Sequence, residues 1–156
     1  MVHYHLLGAE FGPVIFERLY GLLTEAQLDE RKGDRFTPRE VIAHLADWEP
    51  IFRQRIQAAL DEDGRAVEGI DEGELAIRNN YAQANVADTL ARFAKERAAT
   101  VAMIRALDPA LLDRAYNHSE RGRVTIRETG NVLSAHDTYH VEQITEYLAN
   151  KVVGTW

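Results

Sequence analysis

The chain has 156 residues, no cysteine and a net charge of −7 from 25 acidic and 18 basic residues. Its length fits one domain over residues 1–156, and a hydrophobic content of 46% excludes an intrinsically disordered chain. The missing cysteines exclude disulfides, thiolate metal sites and a cysteine nucleophile, and the acidic balance disfavours binding to nucleic acid or to an anionic membrane surface.

Two amphipathic helices are predicted in the first part of the chain. The first ends near Thr24 and carries apolar residues at helical spacing, namely Phe11, Val14, Ile15, Leu19, Leu22 and Leu23. The second begins with a capping box of Thr37 and Glu40, and Pro38 suits its first helical position. Pro50 predicts a kink or one missing hydrogen bond within it. Its apolar stripe consists of Val41, Leu45, Trp48, Phe52 and Ile56.

Two further helices are predicted after residue 85. Asn85 caps the third helix and Asp108-Pro109 ends it, with an apolar face of Leu90, Phe93, Val101, Ile104 and Leu107. A capping box of Thr125 and Glu128 opens the fourth helix, which we expect to reach about Asn150. Residues 114–125, just before it, are expected to form a small hairpin with its turn at ERGR.

Four long helices and no convincing sheet predict an all-α protein, a four-helix bundle. The segment between helices two and three, residues 61–85, is long, acidic and glycine-containing. Because it is too long for a tight hairpin, we expect it to cross over the bundle, as an up-down-down-up order of helices requires.

Three histidines are predicted to face the bundle interior. His136 and His140 lie four residues apart on the apolar stripe of the fourth helix, and His44 shares a face with Val41 and Trp48. Burying unpaired imidazoles is costly, but a divalent metal accepts one lone pair from each neutral ring. Three histidine ligands leave a coordination position open, as in catalytic zinc centres. We therefore predict a metal site at these three histidines, with hydrogen-bonded core histidines as the alternative.

Two segments carry a family resemblance: TPREVIAHLADWEPIFRQRI at residues 37–56 and HDTYHVEQI at residues 136–144. In order and spacing they resemble the DinB-like superfamily, bacterial four-helix-bundle proteins that include bacillithiol transferases of the YfiT type and mycothiol-dependent maleylpyruvate isomerases. The resemblance covers nearly the whole chain. It implies that His44, His136 and His140 bind a divalent metal, and Gln143 also matches the family's usual run of residues.

The resemblance implies a metal-dependent enzyme. Our leading hypothesis is a transferase that joins a low-molecular-weight thiol such as bacillithiol to an electrophilic small molecule, with Zn, Ni, Fe or Mn as the metal. The alternatives are a metal-dependent hydrolase and a non-catalytic, stress-associated metal-binding protein. We also expect a homodimer, because family members often pair. With no membrane-length apolar run and no signal peptide at the N-terminus, a cytoplasmic location is expected.

Several further residues are candidates for a place near the metal. Asp47 and Asp137 either orient its ligands or are exposed carboxylates, and Trp48 either walls the site or fills the core. His118 is expected to be an exposed loop residue. Because residue 137 is aspartate, the HExxH pattern of zinc proteases is not met. Four arginines either meet an anionic thiol or form ion pairs on helix faces: Arg53, Arg55, Arg97 and Arg105.

Overall fold

The structure, a computed structural model, describes the backbone of residues 4–149 and the side chains of residues 6–149. Its helices are α1 (Tyr4–Tyr20), α2 (Glu25–Leu28), α3 (Pro38–Asp61), α4 (Glu72–Arg78), α5 (Val86–Arg105) and α6 (Ile126–Ala149). Its strands are β1 (Arg65–Val67), β2 (Ala115–His118) and β3 (Gly122–Thr125), and short 3₁₀ turns occupy Tyr81–Gln83 and Pro109–Asp113. Among the described helices, none combines the length and the apolar character needed to cross a membrane.

The four long helices α1, α3, α5 and α6 form the predicted four-helix bundle. Helices α3 and α5 run parallel, because Asp47 pairs with Arg92 and Arg53, further along α3, pairs with Glu96, further along α5. Two consecutive bundle helices that run parallel need a connection that returns along the bundle. Residues 62–85 provide this connection, so the predicted crossover between the second and third bundle helices is confirmed.

Helix α6 fixes the directions of the other two bundle helices. It runs antiparallel to α3, since Phe36 accepts a hydrogen bond from Gln143 while Phe52, later in the chain, packs on the earlier residue His136. It runs parallel to α1, since α1 approaches Ser134 through its early residues and Asp137 one turn later. The helix order is therefore up-down-down-up.

Both predicted capping boxes are present. Thr37 Oγ1 accepts from the Glu40 amide at 3.3 Å, and the Glu40 carboxylate accepts from the Thr37 amide at 2.8 Å. Thr125 and Glu128 make the same reciprocal pair at 3.1 and 2.7 Å. Helix α3 continues through Pro50, and its whole predicted stripe is buried.

Helix α1 differs from its prediction in extent and in its buried face. It ends at Tyr20 rather than near Thr24, which caps the short α2 instead. Its buried residues include Leu6, Ala9, Phe16 and Tyr20, whereas four of the predicted apolar residues are exposed: Phe11, Val14, Ile15 and Leu22. The reason is that α1 meets α6 through glycines, and small residues allow the closest approach of two helices. The predicted face was therefore wrong for these four residues, whereas Leu19 and Leu23 pack against the core as expected.

A small sheet joins the otherwise helical fold. Strands β2 and β3 form the predicted hairpin, with His118 opposite Gly122. Strand β1, which comes from the crossover and was not predicted, pairs in parallel with β2 and places Arg65 opposite Tyr116. His118 is buried at the end of β2, so its assignment to an exposed loop was wrong.

Candidate metal centre

The structure brings the three predicted histidines together. His44 Nε2 lies 2.9 Å from His136 Nε2, which in turn lies 3.2 Å from His140 Nε2. One ring nitrogen from each histidine lies within 4.8 Å of the other two. His44 projects from α3, and the other two project from one face of the antiparallel α6, one helical turn apart.

Aromatic side chains surround the three imidazoles. Phe36 and Trp48 pack on His44 with ring centroids 5.4 and 5.7 Å away, and Trp48 also lies 6.1 Å from the ring of His136. Tyr139 packs against His140 at 5.0 Å. His44 and His140 are almost fully buried, whereas His136 is half-buried. Trp48 therefore both fills the core and walls the site.

Burial keeps the three rings neutral at pH 7. It holds the pKa values of His44 and His136 well below the ordinary value, and the neighbouring histidines lower them further. It also lowers the pKa of His140 to about 4. A neutral imidazole carries one unshared pair, which is the form that ligates a metal.

A hydrogen-bond relay determines which nitrogen of His140 is available. Gln143 Nε2 donates to the carbonyl oxygen of Phe36 at 2.8 Å, so its Oε1 is an acceptor and lies 3.0 Å from His140 Nδ1. His140 therefore carries its proton on Nδ1 and its lone pair on Nε2, which faces His136. An outward N–H of this kind is the usual partner arrangement for a metal-bound histidine.

The donor set fits a divalent cation of the first transition row. Three neutral imidazole nitrogens converge, and lone pairs that face one another at these distances repel unless a cation or a proton lies between them. The remaining nitrogen of His44, Nδ1, is buried without a hydrogen-bond partner among the described residues. The cluster is thus polar and buried, and its nitrogens have fewer hydrogen-bond partners than a purely structural core would need.

A cavity of about 310 Å³ reaches the triad from the side of the loop before α3. His140 and Gln143 lie on its wall together with Phe36 and Tyr139. Glu72, from α4 in the crossover, also lines it, and desolvation raises the pKa of the Glu72 carboxyl. Sequence reasoning missed Glu72, because only the path of the crossover brings it to the cavity. The local sequence indicates only that Asp71 caps a short helix that begins at Glu72.

The two aspartates suggested as metal-site partners are bound elsewhere. Asp47 accepts from Arg92 and from Asn79. Asp137 is buried against Arg97, with its Oδ1 2.8 Å from Arg97 Nη2. Neither makes a hydrogen bond to a triad histidine in the described part of the chain, so both act in helix packing.

Three of the four highlighted arginines form ion pairs. Arg53 pairs with Glu96 and Arg105 with Glu10. Arg97 is buried between Asp137 and Glu49, and Arg97 Nε donates to Glu49 Oε1 at 2.7 Å. Arg97 also donates to the carbonyl oxygen of Ala9. Arg97 thereby links all four bundle helices.

The fold and the histidine cluster define a four-helix-bundle protein with a candidate metal centre between α3 and α6. The chain belongs to the DinB superfamily, whose sequence profile matches residues 12–144.

Two known proteins are similar to this chain. A protein of Oceanobacillus iheyensis, named "Putative metal-dependent hydrolase OB0782", is 26% identical over 83% of this chain and 75% of its own length. The solved structure of YfiT from Bacillus subtilis, described as "a probable metal-dependent hydrolase with an unusual four-helix bundle topology", matches with a TM-score of 0.87. That match has 23% sequence identity and covers 94% of this chain and 85% of YfiT. At this identity the likeness to YfiT shows the fold.

Proposed function

We propose that this chain is a divalent-metal-dependent enzyme and that His44, His136 and His140 hold the metal. The observation that carries the proposal is the convergence of three neutral ring nitrogens within 4.8 Å beside a cavity. When bound by three uncharged ligands, a divalent ion keeps its full charge and promotes loss of a proton from a water or thiol near neutral pH. Gln143 keeps His140 in the tautomer that can ligate.

As the reaction, we propose transfer of a low-molecular-weight thiol, such as bacillithiol, to an electrophilic small molecule. The sulfur attacks the electrophilic carbon, a C–S bond forms as the bond to the leaving group breaks, and the thiol proton passes to solvent. A free thiol has a pKa of about 8.5, so a modest shift produces the thiolate at pH 7 without a separate base. Asp47 and Asp137 are held in ion pairs with arginines and are not free to act as a base, which supports a reaction that needs no separate base. The chain has no cysteine, so the sulfur comes from the cofactor.

Hydrolysis is the second candidate, and Glu72 is the observation that favours it. Water is a far weaker acid than a thiol, so a hydrolase benefits from a general base with a pKa moved towards neutrality. Glu72 is an exposed residue on the wall of the cavity; desolvation raises the pKa of its carboxyl, and nearby Arg121 and Arg55 oppose part of that rise. The names of the two similar proteins point to the same reaction.

One pair of assays separates the candidates. Metal-loaded protein is given bacillithiol with 1-chloro-2,4-dinitrobenzene, and separately an activated ester without any thiol. Thiol transfer predicts conjugate formation that is little changed in Glu72→Gln. Hydrolysis predicts thiol-independent ester cleavage that falls by about 100-fold in Glu72→Gln. Glu74→Gln is the matched control, because Glu74 is also on α4 and exposed like Glu72 but does not line the cavity. Metal-loaded protein that is inactive in both assays contradicts both reactions.

A further inference from the structure

Arg55 on α3 is a buried cation one aromatic ring away from the histidine triad. Its residue is 4% exposed, and its guanidinium carbon lies over the indole of Trp48, 5.0 Å from the ring centroid. The same indole packs on His44 and His136. Arg55 and the triad therefore flank one side chain.

One complete edge of the Arg55 guanidinium has no partner. Its Nε and Nη2 are both buried and make no hydrogen bond with the described residues. These two nitrogens point their N–H groups in the same direction and form a fork that matches the two oxygens of a carboxylate. The indole Nε1 of Trp48 is a further buried donor without a partner.

Arg39 shows how this chain normally uses the same edge. Its Nε and Nη2 donate to the two oxygens of Asp29 at 2.7 and 3.1 Å. The hydrogen bond to Asp29 raises the pKa of Arg39, whereas burial lowers the pKa of Arg55. Arg55 therefore carries the desolvation cost of a buried cation without the carboxylate that offsets it elsewhere.

The charges near Arg55 offset its positive charge only in part. Glu72 of α4 is close enough for Arg55 to lower the pKa of its carboxyl, against the desolvation that raises it, but Arg55 Nε and Nη2 make no hydrogen bond to it. Tyr116 of β2 lies close to the guanidinium and offers it a phenolic hydroxyl rather than a carboxylate. The turn between β2 and β3 contributes one charge of each sign, with Arg121 adding positive charge and Glu120 offsetting it. Both turn residues are exposed, so solvent screens them more than it screens Arg55.

We propose that Arg55 binds a carboxylate of the small molecule that reacts at the triad, through its free Nε and Nη2 edge. The substrate class is then a carboxylate-bearing small molecule, whichever of the two reactants carries the group. The inference rests on the proposed function only in calling that molecule a reactant. Binding of the carboxylate itself is measured without turnover.

The test is calorimetric titration of the full-length protein, as purified, with benzoate and with its uncharged analogue benzamide. We expect saturable binding of benzoate and none of benzamide. Arg55→Gln should weaken benzoate binding at least 10-fold, and Arg55→Lys should also weaken it, because an ammonium group keeps the charge but loses the fork. Arg53→Gln removes a charge two residues away that is already paired with Glu96, and should leave binding unchanged.

Three binding results would overturn the inference: no binding of benzoate to the wild type, equal binding to the wild type and Arg55→Gln, or tighter binding of inorganic phosphate than of benzoate. Arg55→Met, of similar length but apolar, guards against misfolding. It should melt no lower than the wild type and still fail to bind benzoate; a large loss of melting temperature would instead make Arg55 structural. His44→Ala should lose the metal yet keep benzoate binding, so the two proposals fail independently.

Discussion

His44 Nε2 and His136 Nε2 lie 2.9 Å apart although 92 residues separate them in the chain. Each belongs to a long helix whose apolar residues pack in the bundle core, so the contact depends on the crossing of α3 and α6 rather than on a flexible loop. A separation of this length suits two imidazole nitrogens only when a proton or a cation lies between them. The packing of α3 against α6 therefore sets the geometry of the triad.

Gln143→Leu should weaken metal binding by about 10- to 100-fold while the fold persists, because His140 loses the acceptor that fixes its tautomer. Competition with a chromophoric chelator measures the change in affinity. Gln27→Leu is the control, since Gln27 Nε2 also donates to a backbone carbonyl oxygen of α6, at Tyr147, away from the triad. Equal affinity in the wild type and Gln143→Leu would show that the relay does not prepare the site.

Gly12→Ala should destabilise the fold by about 3 kcal/mol. A Cβ at this position would lie 2.2 Å from Asp137 Oδ2 and 3.0 Å from Arg97 Nη1, so it would push apart a buried ion pair. Urea denaturation measures the loss. At Gly21 the nearest atoms to an added Cβ are 3.5 Å away, and Gly21→Ala is therefore the control with little expected change. Similar stabilities for the two variants would contradict the close packing of α1 on this pair.

The stability of the fold should decrease as the pH is lowered from about 6.5 to about 4, because of His140. Its pKa is about 4 in the folded chain, against about 6.5 for a free histidine, so the unfolded chain binds more protons between these values. The contribution of His140 therefore lowers the free energy of unfolding as pH falls below 6.5, and it does not change the free energy of unfolding above pH 6.5. From pH 7 to pH 5, the metal-free wild type should lose about 2 kcal/mol more than His140→Gln. Urea denaturation with a chelator present tests this.

Between pH 7 and pH 8 the wild type and His140→Gln should show the same pH slope, because the ring is neutral in both the folded and unfolded chains there. Parallel curves over the whole range from pH 5 to pH 8 would mean that burial does not perturb His140.

Local signals predicted much of this structure. Capping pairs such as Thr37 with Glu40 locate helix starts because they act within one turn. His44 could be placed in the core because it lies on the same stripe as Val41 and Trp48. The candidate metal site could be predicted because two helices were each expected to turn histidines into the interior of the same bundle.

Features that depend on long-range contacts were not predictable. The cluster of Arg97, Glu49 and Asp137 looks like surface charge in the sequence, and only pairing among three helices makes its burial tolerable. Strand β1 has three residues, too few to carry a periodic pattern, and it forms because β2 lies beside it. Glu72 reaches the cavity through the path of the crossover, which no spacing encodes.

Metal analysis of purified protein tests the central claim most directly. Elemental mass spectrometry of the wild type should find about one equivalent of a divalent transition metal, and His44→Ala, His136→Ala and His140→Ala should each lose it. His118→Ala is the matched control, because His118 is about as buried as His140 but lies outside the triad; it should keep the metal. A wild type without metal, or triad variants that retain as much metal as His118→Ala, would contradict the account.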